Sequence, residues 1–182
     1  DDGVTWTDTD EYKVGSLLDH KTGKIWMTEC YYPKKNTEGE LMSEGWMVNH
    51  PLKLMKAGAW SKIHCSEDHG KTWKSQDVTK QFMTYTNGCF ALFHDHGIQL
   101  QKGKYAGRLI LPARYYGKRF KRVGPNAHNA VIYSDDHGKS WQWGGSSQGY
   151  CGEGSVVELS DGSVYLNNRN HDPETVGYRS FA

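Results

Sequence analysis

Residues 66–73 read Ser-Glu-Asp-His-Gly-Lys-Thr-Trp, and residues 134–141 read Ser-Asp-Asp-His-Gly-Lys-Ser-Trp. The chain opens on Asp1-Asp2-Gly3-Val4-Thr5-Trp6, the same motif without its front. The closing tryptophans fall at 6, 73 and 141, a period of 67 and then 68 residues. Self-similarity at one fixed period marks an architecture that repeats a single supersecondary unit. Each octamer reads as a hairpin turn. Gly70 and Gly138 supply a positive φ without steric cost, and the Asp and Ser side chains accept hydrogen bonds from turn amides. Trp73 and Trp141 then fold beneath the turn and bury a large ring. The octamer is thus a structural staple whose aspartates are not expected to do chemistry. His69 and His137, at the turn tips, are expected to need no role of their own.

Between the staples the chain is strand-like. The octamers follow β-rich runs at 60–65 and 130–133, and residues 17–18 and 25–27 flank a turn over Lys21-Thr22-Gly23. Residues 97–101 and 108–113 flank Lys102-Gly103-Lys104, while 156–159 and 163–166 flank Ser160-Asp161-Gly162. No stretch sustains a 3.6-residue apolar period, and 52–59 alone offers a helical turn or two. A 67-residue period holds four strands of roughly 5–6 residues with their loops, which is one propeller blade. The chain holds about 2.7 such periods, whereas propellers close with roughly four to eight blades. The expectation is an all-β protein: residues 1–182 form a single partial β-propeller domain with four-stranded antiparallel blades, part of a longer protein.

Composition excludes several classes. Lys and Arg number 22 against 21 Asp and Glu, a formal charge of +1, so no bulk charge steers a nucleic acid or a membrane surface. No run of apolar residues is long enough to span a bilayer as a helix. An aromatic content of 13% with 21 Gly suits tight hairpins better than a helical bundle. Cys30, Cys65, Cys89 and Cys151 lack zinc spacing and are too sparse for a disulfide scaffold, leaving buried free thiols. His94 and His96 lie two apart, but spacing places no third ligand, so no metal is expected. The basic run at 118–122 reads as a solvated hairpin tip. Neither the compartment nor the oligomeric state is legible.

The octamers resemble the Asp boxes (S-x-D-x-G-x-T-W) of sialidases, which sorting receptors and other propellers also carry. Three further stretches narrow the resemblance. Residues 97–113, Gly-Ile-Gln-Leu followed by Gly-Arg-Leu-Ile-Leu-Pro-Ala, resemble the segment before the family's third blade. Residues 128–141 resemble the strand leading into its next Asp box. The most specific stretch is 153–169, Glu-Gly-Ser-Val-Val-Glu-Leu-Ser-Asp-Gly-Ser-Val-Tyr-Leu-Asn-Asn-Arg, similar to the family's E-x-x-V-V-E-L-x-D-G-x-x-x-L-N-x-R. The resemblance implies a six-bladed propeller, of which this chain would be close to half.

The resemblance also implies a chemistry. Sialidases remove terminal sialic acid from glycoproteins, glycolipids and oligosaccharides with retention of configuration and no cofactor. Their nucleophile is a Tyr rather than a carboxylate, because the substrate carries its own carboxylate beside the anomeric carbon and would repel another. A Glu is the base for that Tyr, and Glu153 matches it. Three Arg grip the substrate carboxylate through their planar forks, and Arg169 matches the second. Pro112-Ala113-Arg114-Tyr115-Tyr116 resembles P-A-Y-A-Y, whose tyrosines line the sugar; Tyr116 matches the second, while Arg114 replaces the first. Glu38 resembles an acidic residue near the N-acetyl end of the sugar. The family's first Arg and its general-acid Asp would precede residue 1, and the third Arg and the Tyr nucleophile would follow Ala182.

Turn geometry tests the pairing independently of family. If Ser160-Asp161-Gly162 is a three-residue loop with Gly162 left-handed, Leu159 pairs with Ser163. Glu153 then lies across from Arg169 on the same face, with Cβ atoms ~4.5–5.5 Å apart; a two-residue loop would put them on opposite faces. The rival to an enzyme is a non-catalytic Asp-box propeller that binds a glycan or protein, which needs no carboxylate base beside an Arg.

Overall fold

In the computed structural model, which describes residues 14–31, 60–86, 89–92, 95–116, 127–170 and 179–181, the chain is a succession of antiparallel sheets. β1 (Val14–Leu18), β2 (Ile25–Tyr31), β3 (Trp60–Ser66) and β4 (Lys74–Asp77) form a four-stranded meander in that order. The second sheet contains β5 (Cys89–Leu92), β6 (Ile98–Gln99), β7 (Leu109–Tyr116), β8 (Ala127–Ser134) and β9 (Gln142–Ser146). Its path is β5-β7-β8-β9, with β6 also paired to β7. The third contains β10 (Cys151–Glu158), β11 (Val164–Asn170) and β12 (Arg179–Phe181). The described strands do not close into a ring, and the architecture is a partial β-propeller of four-stranded antiparallel blades.

Side-chain alternation explains how the sheets stack. On β7, Leu109, Leu111 and Ala113 enter a core shared with Leu17, Trp26, Ile63, Phe82, Phe90 and Trp141, which joins the first sheet to the second. Ile110 points the other way, into a smaller core with Leu100, Val156 and Leu166 that joins the second sheet to the third. β8 obeys the same parity: Ala130 and Ile132 face the first core, and Val131 and Tyr133 pack on the other. The middle sheet is therefore apolar on both faces, so β7 reads as a nearly unbroken hydrophobic run instead of an alternating one.

One element departs from expectation. A helix, α1 (Thr79–Thr86), connects β4 to β5. Threonines make it a poor helix by propensity. Asp77 Oδ1 accepts a hydrogen bond from the Thr79 amide at 2.9 Å, capping its start. Val78 and Phe82, four apart, are buried in the first core, Phe82 with its ring 4.9 Å from that of Phe90. Packing thus overrides a weak local signal. Residues 52–59 and 118–122 and the partial octamer at 1–6 lie outside the described residues. No helix among the described residues is long and apolar enough to cross a membrane.

Both octamers are built as expected. Ser66 Oγ and Ser134 Oγ each accept from the glycine amide four residues on at 2.8 Å, and Asp68 and Asp136 accept from Thr72 and Ser140. Hydrogen bonds from Thr72 and Ser66 hold the Asp68 carboxyl at about 2. For Asp136, burial pushes upward, but bonds from Ser140 and Ser134 outweigh it, and it too falls to about 2. The two boxes differ beneath the turn. Trp73 is half-buried and its Nε1 donates to Gly70 O at 3.0 Å, whereas Trp141 is buried edge-on to Trp26 at 5.7 Å.

His137 corrects the expectation that the tip histidines are idle. Both take left-handed backbone (φ 58° and 56°), but His137 Nδ1 also bonds Asp19 Oδ2 at 2.7 Å, across from the second sheet to the first. Asp19 is fully buried and accepts from Thr22, Gln99 and the Lys21 amide as well. The thiols are a smaller correction: Cys151 is buried, but Cys30 and Cys65 are only partly so. Burial, reinforced by the charge of Glu29, still pushes the Cys30 thiol up to about 11.

Candidate active site

The β10–β11 hairpin decides the site. Gly162 is left-handed (φ 85°), its amide bonds Leu159 O at 3.0 Å, and the Leu159 amide bonds Ser163 O at 2.8 Å. The three-residue loop therefore exists, and Glu158 faces Val164 and Gly154 faces Asn168 in the register it dictates. The ladder shifts between Cys151 and Gly154, so Glu153 sits at a bulge, the kind of irregularity that re-aims a side chain. Its carboxylate meets Arg169 there: Arg169 Nη1 donates to Glu153 Oε2 at 3.1 Å. The side chains are 64% (Arg169) and 53% (Glu153) exposed, so the pair adds at most about 1 kcal/mol to stability. Both groups are open to a solute.

The surroundings hold Glu153 ionised. Burial pushes its carboxyl up, but its own backbone amide, the Arg169 hydrogen bond and the charges of Arg169 and Arg114 outweigh this, and the net shift is below the usual range. Arg114 is a charge beside Glu153 that sequence reasoning undervalued, noted only as a replacement for a tyrosine. It is buried on β7 across from Asn129, on the parity that faces the third sheet. Its spacing from Ile110, four residues back on one strand, was the signal.

A second feature escaped the sequence. Asn129 Nδ2 donates to Asn168 Oδ1 at 2.7 Å, and both side chains are buried. Asn168 precedes Arg169, and its ladder partner Gly154 follows Glu153. A Cβ on Gly154 would lie 2.5 Å from Asn129 Nδ2 and 2.9 Å from Asn168 Oδ1, so only glycine lets the third sheet approach this closely. The brace sits directly behind the Glu153–Arg169 pair.

The remaining candidates lie wholly or partly outside the described residues. Tyr116 lies at the end of β7, its backbone paired with Cys89 and Ala127; its side chain and the whole of Glu38 fall outside the described residues. So does His94, and residues 95–97 are not strand. Among the described residues, no group of three His, Cys, Asp or Glu could hold a metal ion.

Comparison with known proteins agrees with this fold. The chain is 33% identical over 170 residues to a sialidase of Micromonospora viridifaciens, an alignment covering 91% of this chain and 24% of that protein. It is 36% identical over 110 residues to sialidase-2 of Cricetulus griseus, covering 58% of this chain and 29% of that protein. The solved structure of the Hadza microbial sialidase Hz136 matches with a TM-score of 0.67 at 23% identity, covering 92% of this chain and 30% of that one. No protein-family model matches the chain. It spans about a quarter of the length of these two curated relatives. From the Asp-box blades, the hairpin carrying Glu153 and Arg169, and these relatives, the chain belongs to the sialidase family.

Proposed function

We propose that the protein carrying this chain is a retaining exo-α-sialidase acting on sialylated glycoconjugates. Glu153 takes the proton of a Tyr nucleophile supplied from outside this chain, and Arg169 binds the sialic acid carboxylate. The observation that carries the reading is the meeting of Glu153 and Arg169 at the bulge of one hairpin. Arg169 uses one donor on Glu153 and keeps the rest of its fork for a substrate carboxylate. A substrate carboxylate that engages Arg169 draws its charge away from Glu153. The proton affinity of Glu153 then rises at the moment a phenol proton has to be accepted. Tyr116 and Glu38 are proposed to line the sugar. The 182 residues alone are expected to be inactive, because the acid, the nucleophile and two further Arg of the mechanism have no counterpart assigned within them.

The test is release of a fluorogenic sialoside by the full-length protein. Wild type turns over; Glu153→Gln lowers kcat by at least ~10²-fold, and Arg169→Ala raises KM with it. A full-length protein that releases no sialic acid would support a binding propeller instead.

A further inference from the structure

The turns at the other end of the strands enclose a second cleft. Glu153 stands five residues before Glu158 on β10, so ~17 Å of strand separates it from the β10–β11 turn. At that end, Glu158 accepts hydrogen bonds from the amides of Gln101 (2.8 Å) and Lys102 (2.9 Å), fixing the loop that leads to Arg108. Between this loop, the β1–β2 turn and the second Asp box lies a cleft of about 550 Å³, lined by Lys21, Lys104, Tyr105, Arg108, Asp135 and His137 among others. That volume is enough for one or two sugar rings.

The charges of the lining do not cancel. Arg108 is spent: its Nε and Nη2 hold both oxygens of Asp135 at 2.7 and 2.8 Å, and its guanidinium lies 3.9 Å from the Tyr105 ring and 4.0 Å from the Tyr133 ring. That pairing also neutralises the one acidic group of the lining. Lys21 and Lys104 pair with no carboxylate among the described residues. His137 is fixed through Nδ1 by the buried carboxylate of Asp19, itself no part of the lining. Tyr105 leaves 45% of its surface exposed, on a ring held by Arg108 and approached by Lys104 Nζ at 4.8 Å. Two ammonium groups without a carboxylate partner and a fixed imidazole thus share one concavity with an exposed aromatic ring, where like charges focus the field on an anion.

We propose that this cleft binds an anionic saccharide, a sugar bearing a sulfate or carboxylate. Lys21 and Lys104 take the anion, and the exposed part of the Tyr105 ring packs against the sugar. The proposal does not rest on the role of Glu153, and an inactive full-length protein would leave it standing.

The test is titration of the full-length protein with lactose 3′-sulfate, with lactose and with sodium sulfate, followed by calorimetry. Lactose 3′-sulfate is expected to bind saturably and at least tenfold more tightly than either control. Replacing Lys21 and Lys104 together by Ala should weaken it at least tenfold, with thermal unfolding and sialoside turnover unchanged. Tyr105→Ala should weaken lactose 3′-sulfate while leaving sodium sulfate as it was. Absence of saturable binding, or wild-type affinity in the double lysine variant, overturns the proposal. Equal affinity for sodium sulfate and lactose 3′-sulfate overturns its saccharide half.

Discussion

Gly154→Ala probes the candidate site without touching either charged group. The added methyl would stand 2.5 Å from Asn129 Nδ2 and 2.9 Å from Asn168 Oδ1, so β10 or the amides must retreat by roughly an ångström to reach ordinary contact. If the amides part, the 2.7 Å bond between them is lost with both groups buried, at about 1–3 kcal/mol. If the strand moves instead, overpacking strain costs a similar ~1–3 kcal/mol, and Glu153 moves with it. For a base that must meet a phenol proton, a displacement of ~1 Å is worth on the order of 10² in rate. Fluorogenic sialoside turnover and thermal unfolding of the full-length protein read these two consequences separately. Asn129→Gly removes one of the clashing groups, so in the double variant the two substitutions should be strongly non-additive, recovering part of what Gly154→Ala loses. Wild-type turnover and unfolding temperature in Gly154→Ala would refute the brace.

Three other outcomes are expected. Asp19→Ala removes the acceptor shared by His137, Gln99 and Thr22, leaves the buried Gln99 amide short of one partner, and should cost about 1–3 kcal/mol, read by denaturant unfolding. The folded Asp19 carboxyl titrates below its usual value, so its stabilisation is full above the unfolded value and fades as pH falls through the folded one; the variant should lack that part of the acid sensitivity. Gly70→Ala and Gly138→Ala share the strain of a left-handed backbone (φ 86° and 78°), but a methyl on Gly138 would overlap the Trp26 ring, whereas one on Gly70 clears Trp73 at 3.7 Å. Gly138→Ala should therefore lower the unfolding temperature by several degrees more, and equal effects would show that the Trp26 contact is unimportant. Arg114→Met removes a charge that favours ionised Glu153, so the acidic limb of kcat/KM against pH should move upward; an unmoved limb would show that Arg114 does not reach the base.

How much was legible follows from the range of the interactions. The octamer repeat announced the blades because its hydrogen bonds close within four residues, from Ser66 to Gly70 and from Asp68 to Thr72. The same locality made the β10–β11 register readable from Gly162 as far as Gly154 and Asn168; the shift beyond them, where Glu153 and Arg169 meet through their side chains and not as ladder partners, was not. What stayed hidden depends on partners far away in the chain. Asp19 meets His137 from 118 residues off, and Asn129 meets Asn168 from 39. No local pattern records either. α1 was missed because its eight residues, rich in threonine, are too short for a 3.6-residue apolar period to show. Arg114 was visible as an odd residue in a familiar motif, but its nearness to Glu153 required knowing which face of β7 the third sheet covers.

The shared ownership of β7 has a last consequence. A sheet clamped from both sides cannot release one neighbour and keep the other intact, because Leu111 and Ile110 ride on a single backbone. Nearest-neighbour coupling of this kind makes stacked blades come apart together. Heating should therefore produce one sharp transition rather than a sheet-by-sheet unravelling.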